Sequence, residues 1–366
     1  MPTTDPEALI RTLVRPAVQA MRAYHVPPAR GLVKLDAMEN PYVWPPAVRE
    51  QWLDALRHAE INRYPDPQAA ELKQALRRSQ ALPETAELLL GNGSDELIQL
   101  LGMALGGQSR TVLSPGPSFA MYRLIAGFTG MDFVEVPLRD EDFALDMPAM
   151  RAAIAEQQPA IIYLAYPNNP TGNVFDAEQV REILELAPGV VVVDEAYHAF
   201  CGESFVDQVV EQPQLLVMRT LSKMGLAGLR LGYLVAHPAW IRELEKCRLP
   251  YNINVLTQCS TEFALNNAAL LQEQTARIRA DRELLFAQLE RLPVVARVWP
   301  SRANFLTFRT RPGTAATIHA ALRDAGVLIK CLDGSHPLLH DCLRVTVGSP
   351  EENRAFLDAL AAQTRE

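Results

Sequence analysis

The chain has 366 residues, enough for two domains and a large core. It is 48% hydrophobic and 21% charged, the balance of a globular protein rather than of a disordered or membrane-embedded one. A net charge of −8 without a Lys/Arg cluster argues against nucleic acid as a partner, and no apolar run approaches a membrane span.

The start, Met1 to Tyr24, carries Asp5, Glu7, Arg11, Arg15 and Arg22 and lacks an apolar h-region, so it does not read as a signal peptide. Residues 1–46 are proline-rich without sustained periodicity and read as an arm with a short helix, docked on something larger. A helical pattern follows from Ala47 to His58, then a turn over Asn62-Arg63-Tyr64-Pro65-Asp66-Pro67. Pro67 is expected in the first turn of the next helix, which runs to about Ser79. Leu88-Leu89-Leu90 leads through a glycine turn to a helix start near Ser94.

From 111 to 236, short β-rich runs alternate with helical ones: Thr111–Ser114, Phe133–Val136, Ala160–Ala165, Val190–Asp194, Leu215–Met218 and Leu231–Ala236. Their continuous apolar character predicts strands buried on both faces, as in a mostly parallel α/β sheet. Residues 254–292 carry few breakers and predict one long helical connector. The end predicts strand, helix, strand and helix over Asn304–Arg309, Thr314–Ala325, Leu343–Val347 and Pro350–Ala362. The expected division is an arm (1–46), a large domain (47–253) and a smaller α/β domain (254–366).

The five cysteines (201, 247, 259, 331 and 342) include no Cys-x-x-Cys pair, which favours free thiols in a reducing cytoplasm. His336 and His340 lie four apart, but Pro337 follows the first, and no metal site is expected there. Asn92-Gly93-Ser94-Asp95 places glycine and hydroxyl at a helix N-terminus, an arrangement that suits an anion or a plain N-cap. Tyr166-Pro167-Asn168-Asn169-Pro170-Thr171-Gly172 follows an apolar strand, where open α/β sheets place ligand groups, and its two X-Pro bonds invite a cis peptide. Val190–Asp194 ends a buried strand on an acid. Ser222-Lys223 enters a turn rich in small residues, with Arg230 seven positions after the lysine. A second cation near such a lysine lowers its pKa and favours the neutral amine that a Schiff base requires. Ser222 and Arg230 together suit a phosphate, through a hydroxyl and a bidentate fork.

Asn168-Asn169-Pro170-Thr171-Gly172, Asp194-Glu195-Ala196-Tyr197 and Ser222-Lys223 with Arg230 together resemble the fold-type I, pyridoxal-phosphate-dependent aminotransferases over nearly the whole chain. Within them, Leu35-Asp36-Ala37-Met38-Glu39-Asn40-Pro41-Tyr42, Arg63-Tyr64-Pro65-Asp66-Pro67 and the segment from Leu343 to Asn353 resemble the histidinol-phosphate aminotransferases. The resemblance implies pyridoxal 5'-phosphate as cofactor, with Lys223 carrying it as a Schiff base and then shuttling the reacting proton. Asp194 would face the pyridine nitrogen, Asn169 and Tyr197 the phenolic oxygen, and Phe119 the ring face, where the family often has tyrosine. Ser94, Asp95, Ser222 and Arg230 would hold the phosphate, joined by Tyr64 of a second subunit in a homodimer. Arg344, Tyr24 and Lys330, with Asn169 and Tyr64, would receive the substrate, Lys330 standing where the family often has arginine. Many members also have one more residue between the lysine and the arginine of the turn.

The implied reaction is amino transfer between L-histidinol phosphate and 2-oxoglutarate. An aromatic or broad-specificity aminotransferase and a phosphothreonine decarboxylase share the same cofactor residues and stay open as alternatives. A non-enzymatic sensor on this scaffold would carry an additional DNA-binding segment, for which the acidic chain leaves no room.

Overall fold

The computed structural model describes residues 5–23, 27–107 and 109–363. Thirteen strands are present among them. In chain order they are β1 (Val33–Lys34), β2 (Glu87–Asn92), β3 (Thr111–Gly116), β4 (Asp132–Pro137), β5 (Ile161–Ala165), β6 (Val190–Asp194), β7 (Leu215–Thr220), β8 (Leu231–Ala236), β9 (Val295–Val298), β10 (Phe305–Thr310), β11 (Val327–Leu328), β12 (Lys330–Cys331) and β13 (Cys342–Thr346). A seven-stranded sheet has the order β2-β8-β7-β6-β5-β3-β4, in which only β8 runs against its neighbours. This is the expected α/β architecture with a mostly parallel central sheet.

The sheet is buried on both faces, and the period of two along its strands shows why. Val191 and Val193 of β6, with Leu215 and Val217 of β7, enter one apolar cluster. Val190 and Val192, with Leu216 and Met218, enter the cluster on the opposite face. A sheet covered on both sides can present polar groups only at its strand ends.

A third cluster forms the C-terminal core around Phe305, Phe308, Leu343, Val345 and Phe356. Its sheet has the order β12-β13-β10-β9. The N-terminal segment belongs to this core too, because Leu35 is buried within it and β1 pairs in parallel with β11. Asn40 then reaches the large sheet's side, donating through Nδ2 to the Met224 carbonyl at 3.1 Å. Residues 33–40 therefore form a strap between the two cores.

Three local expectations are corrected. The helix after Pro67 begins at Ala70, not at the proline. The Asp66 carboxylate accepts from Gln68 N at 3.0 Å and Ala70 N at 2.8 Å, a side-chain turn that delays helix entry. The long connector is two helices, Val255–Asn266 and Ala268–Leu289, separated at Asn267. Its side chain donates to the Phe263 carbonyl at 2.9 Å and caps the first helix locally. Strands β1, β9, β11 and β12 had no expectation in the sequence; all but β9 are only two residues long, too short for an apolar period to register.

Candidate active site

Strands β2, β5, β6 and β7 run parallel and deliver their C-terminal ends to one edge of the sheet, where β8 begins. A cavity of about 350 Å³ opens there, lined among others by Ser94, Phe119, Asn169, Asp194, Tyr197 and Lys223. Asp95, Ser222 and Arg230 line it as well, so nine residues singled out from the sequence share one pocket.

At one end lies an anion cradle. The helix Ser94–Leu105 starts after Gly93, which has φ +80° and no side-chain cap, so its first backbone N–H groups face the cavity unshielded. A Cβ at Gly93 would stand 2.6 Å from Arg230 Nη2. Arg230 itself has a left-handed backbone (φ +52°) and reaches Asp95 Oδ2 at 3.4 Å. The Thr220 hydroxyl accepts from Ser222 N at 3.1 Å and lies 2.9 Å from Ser222 Oγ, which fixes that hydroxyl at the cradle's rim. Thr220 lines the pocket without having been expected from the sequence.

In the floor sits Asp194, 4% exposed. Burial raises its pKa to about 6, opposed by a hydrogen bond from Tyr122 and one from the Ala196 N–H. Tyr122 Oη donates to Asp194 Oδ2 at 2.6 Å, and its ring stacks on Tyr163 at 4.5 Å. Tyr122 went unpredicted, although it lies one helical turn from Phe119, whose ring it meets edge-on at 5.6 Å. Glu195, the next residue, points to the other face of the chain. There it accepts from Arg219 Nε at 2.9 Å and from Phe205 N at 2.7 Å, sealed from the cavity.

Lys223 Nζ donates to the Ala37 carbonyl of the strap at 3.2 Å and lies 5.8 Å from the Tyr197 ring centre. Desolvation, followed by the charge of Arg344, lowers its pKa to about 8. Burial pushes the Tyr197 phenol far up, so it remains a proton donor.

Two asparagines divide the work of their loop. Asn168 accepts from Ser118 Oγ at 2.8 Å and donates to the Pro117 carbonyl at 2.9 Å, tying this loop to the one that carries Phe119. Asn169 accepts a hydrogen bond from Arg344 Nη1 on its Oδ1, which leaves Nδ2 as the donor for the cavity. The Gly116-Pro117, Tyr166-Pro167 and Asn169-Pro170 peptides are cis. Arg344, 7% exposed, also donates through Nη2 to the Asp36 carbonyl at 3.0 Å.

A second chamber of about 460 Å³ shares Met38, Phe119 and Asn169 with the first and is lined by Arg344 and Lys330. Lys330 stands directly opposite Arg344 in the β12–β13 pair, which puts both side chains on one face. Tyr64 is not brought to this pocket within the chain: it is 80% exposed and stacked on Tyr251 at 4.4 Å. Tyr24 lies outside the described residues.

These groups fit pyridoxal phosphate. Among the described residues no ion pair neutralises Asp194, which leaves a buried carboxylate suited to a protonated ring nitrogen. The cradle offers donors to a phosphate, and the amine has a lowered pKa suited to an aldehyde.

The aminotransferase class I and II family matches residues 30–360. The chain is 55% identical to histidinol-phosphate aminotransferase 2 of Nitrosococcus oceani over 95% of this chain and 96% of that one. It is 50% identical to the histidinol-phosphate aminotransferase of Chromobacterium violaceum, over 96% and 98% of the two chains. Among solved structures it is similar to the histidinol-phosphate aminotransferase of Sinorhizobium meliloti in complex with pyridoxal-5'-phosphate. That likeness has a TM-score of 0.82 at 25% identity, covering 97% of this chain and 98% of that one. On these matches, the chain belongs to the class I and II aminotransferases and, within them, to the histidinol-phosphate aminotransferases.

Proposed function

We propose that the protein transfers the amino group of L-histidinol phosphate to 2-oxoglutarate, with pyridoxal 5'-phosphate as cofactor, in histidine biosynthesis. The observation that carries the substrate reading is the facing pair Lys330 and Arg344, two cations on one wall of a chamber that shares Met38, Phe119 and Asn169 with the pocket of Lys223. A guanidinium reads phosphate and carboxylate oxygens in the same bidentate geometry, so Arg344 serves both substrates. Lys330 adds a point charge suited to the phosphate. When bound, pyridoxal phosphate supplies an electrophilic carbon for the substrate amine and a sink for the electrons of the broken Cα–H bond.

The chain's own groups have complementary tasks. Lys223 would hold the cofactor, and its Nζ would carry the proton to and from the substrate carbon. A pKa of about 8 leaves a useful fraction of neutral amine near neutral pH. Asp194 would keep a proton on the ring nitrogen through charge, while Tyr122 orients the carboxylate. Asn169 and Tyr197 would donate to the phenolic oxygen, Phe119 would pack on the ring, and Ser94, Asp95, Ser222 and Arg230 would bind the phosphate.

Tyr64 serves the site of a second copy in a homodimer. Its exposure, together with that of Val43, Ile61 and Leu249, all more than 70% exposed, supports an apolar face for that contact. The five cysteines are unpaired and no helix among the described residues is long and apolar enough to cross a membrane, features that support a cytoplasmic setting.

The test is a half-reaction on purified holoenzyme. L-Histidinol phosphate alone converts the visible cofactor band to that of the amine form, and 2-oxoglutarate restores it. A band that is present but indifferent to L-histidinol phosphate rejects the substrate and retains the cofactor.

A further inference from the structure

Beyond Lys330 and Arg344, the second chamber ends in a group that neither the cofactor nor the phosphate uses. Its walls are mostly apolar, including Pro117, Leu124, Phe133, Leu332 and Leu339, and one carboxylate faces into it, Glu135 of β4. That carboxylate is fixed from two sides. Arg123 Nη2 approaches Oε2 at 3.3 Å, and His336 Nε2 approaches Oε1 at 3.2 Å. His336 has its tautomer set locally: Nδ1 accepts from Leu338 N at 3.1 Å, so Nε2 carries the hydrogen that points at Glu135. Arg123 is held in turn with its guanidinium 4.4 Å from the centre of the Phe133 ring.

Glu135 also fits a recess in the neighbouring strand. A Cβ at Gly116 would stand 2.5 Å from Glu135 Oε2, so the glycine leaves the space in which the carboxylate lies. A carboxylate has about four acceptor positions, and two donors hold it here. Acceptor capacity remains for a ligand in the chamber.

An apolar slot with one oriented acceptor suits a flat aromatic ring that carries an N–H. We infer that Glu135, positioned by His336 and Arg123, accepts a hydrogen bond from the imidazole of the substrate while Phe133 and Leu332 pack around the ring. This makes Glu135 a specificity determinant; it rests on the proposed reaction and extends it from the phosphate end of the substrate to the ring end. The reading separates the two ends by charge. Cations at Lys330 and Arg344 take the phosphate, and the anion at Glu135 rejects it from the ring site.

The discriminating variant is Glu135→Gln. It keeps volume, but Arg123 and His336 compete for its single amide oxygen, and its NH2 faces an N–H donor. L-Histidinol phosphate is compared with L-phenylalaninol phosphate, whose ring is similar in size and has no N–H. With wild-type turnover of L-histidinol phosphate established first, the variant loses roughly ten- to hundredfold in kcat/KM for that donor. L-Phenylalaninol phosphate changes less than about threefold. Calorimetric binding of L-histidinol phosphate in a Lys223→Ala background, where no turnover occurs, shows a matching loss on Glu135→Gln. An equal loss for both donors marks Glu135 as merely structural and overturns the inference, as does no loss for either. Wild type that ignores L-histidinol phosphate rejects the proposed reaction and this inference together, an outcome read before any variant is made.

Discussion

At Lys223 and Asp194 the same physical cause acts with opposite sign. Burial disfavours charge, so it lowers the lysine pKa to about 8 and raises that of the aspartate to about 6. For Lys223, covalent capture of pyridoxal phosphate by the apoenzyme requires neutral amine and should rise with pH through a midpoint near 8. Arg344 is the second cause of that lowering, so Arg344→Met should move the midpoint upward, measured as capture rate against pH. A midpoint unmoved or lowered contradicts the charge argument. For Asp194, the folded chain favours the protonated carboxyl, so ionisation penalises folding above about pH 6 and not below about pH 4. In the apoenzyme, Asp194→Asn should therefore add on the order of 2–3 kcal/mol of stability at pH 7.5, fading toward pH 4. Urea unfolding at both pH values checks this. The same variant should lower amino transfer by roughly 10²–10³-fold, because it removes the preorganised charge proposed to face the ring nitrogen.

Elements matter here through their ends. Adjacent acids at the end of β6 part company because successive side chains on an extended chain face opposite ways. Asp194 meets the cavity, and Glu195 pairs with buried Arg219. The anion cradle depends on close approach between β8 and the start of the helix Ser94–Leu105. A Cβ at Gly232 would lie 2.6 Å from Ser94 N and 2.6 Å from the Gly93 carbonyl carbon, both backbone atoms that no rotamer change can move. Gly232→Ala should therefore cost about 1–3 kcal/mol of stability and weaken cofactor affinity together. Equilibrium dialysis and thermal unfolding measure the two; a stable variant with unaltered affinity would show that the cradle tolerates displacement. The asparagine loop was legible as a strand-end turn. That Asn168 would lock it and Asn169 would serve it was not, because the distinction lies in Ser118 and Arg344, fifty and 175 residues away.

On the scale of the molecule, the strap over residues 33–40 joins Lys223, the proposed catalytic lysine, to Arg344, the proposed substrate arginine. The Asp36 carbonyl holds Arg344, and the next carbonyl, of Ala37, holds Lys223. Tyr64 stands apart from the site of its own chain, which sets up a test of the proposed dimer. Lys223→Ala and Tyr64→Ala homodimers should each be impaired. Mixed and reassociated, they should form hybrids with one intact site, built from Lys223 of one copy and Tyr64 of the other. Activity that fails to rise above that of the separate variants removes Tyr64 from a shared site.

The sequence by itself determined the class of the fold, since continuous apolar strands between helical segments leave few alternatives to a covered parallel sheet. The cofactor was legible through the resemblance of Asn168–Gly172, Asp194–Tyr197 and Ser222-Lys223 with Arg230 to the pyridoxal-phosphate-dependent aminotransferases, motifs that lie at or shortly after apolar runs. Tertiary structure alone decided which groups support them. Tyr122 under Asp194, the Ala37 carbonyl on Lys223 and Glu135 facing the second chamber are partners across many residues. A linear pattern records how each segment is covered, not which distant segment covers it, and these contacts exist only once the two cores have closed around the strap.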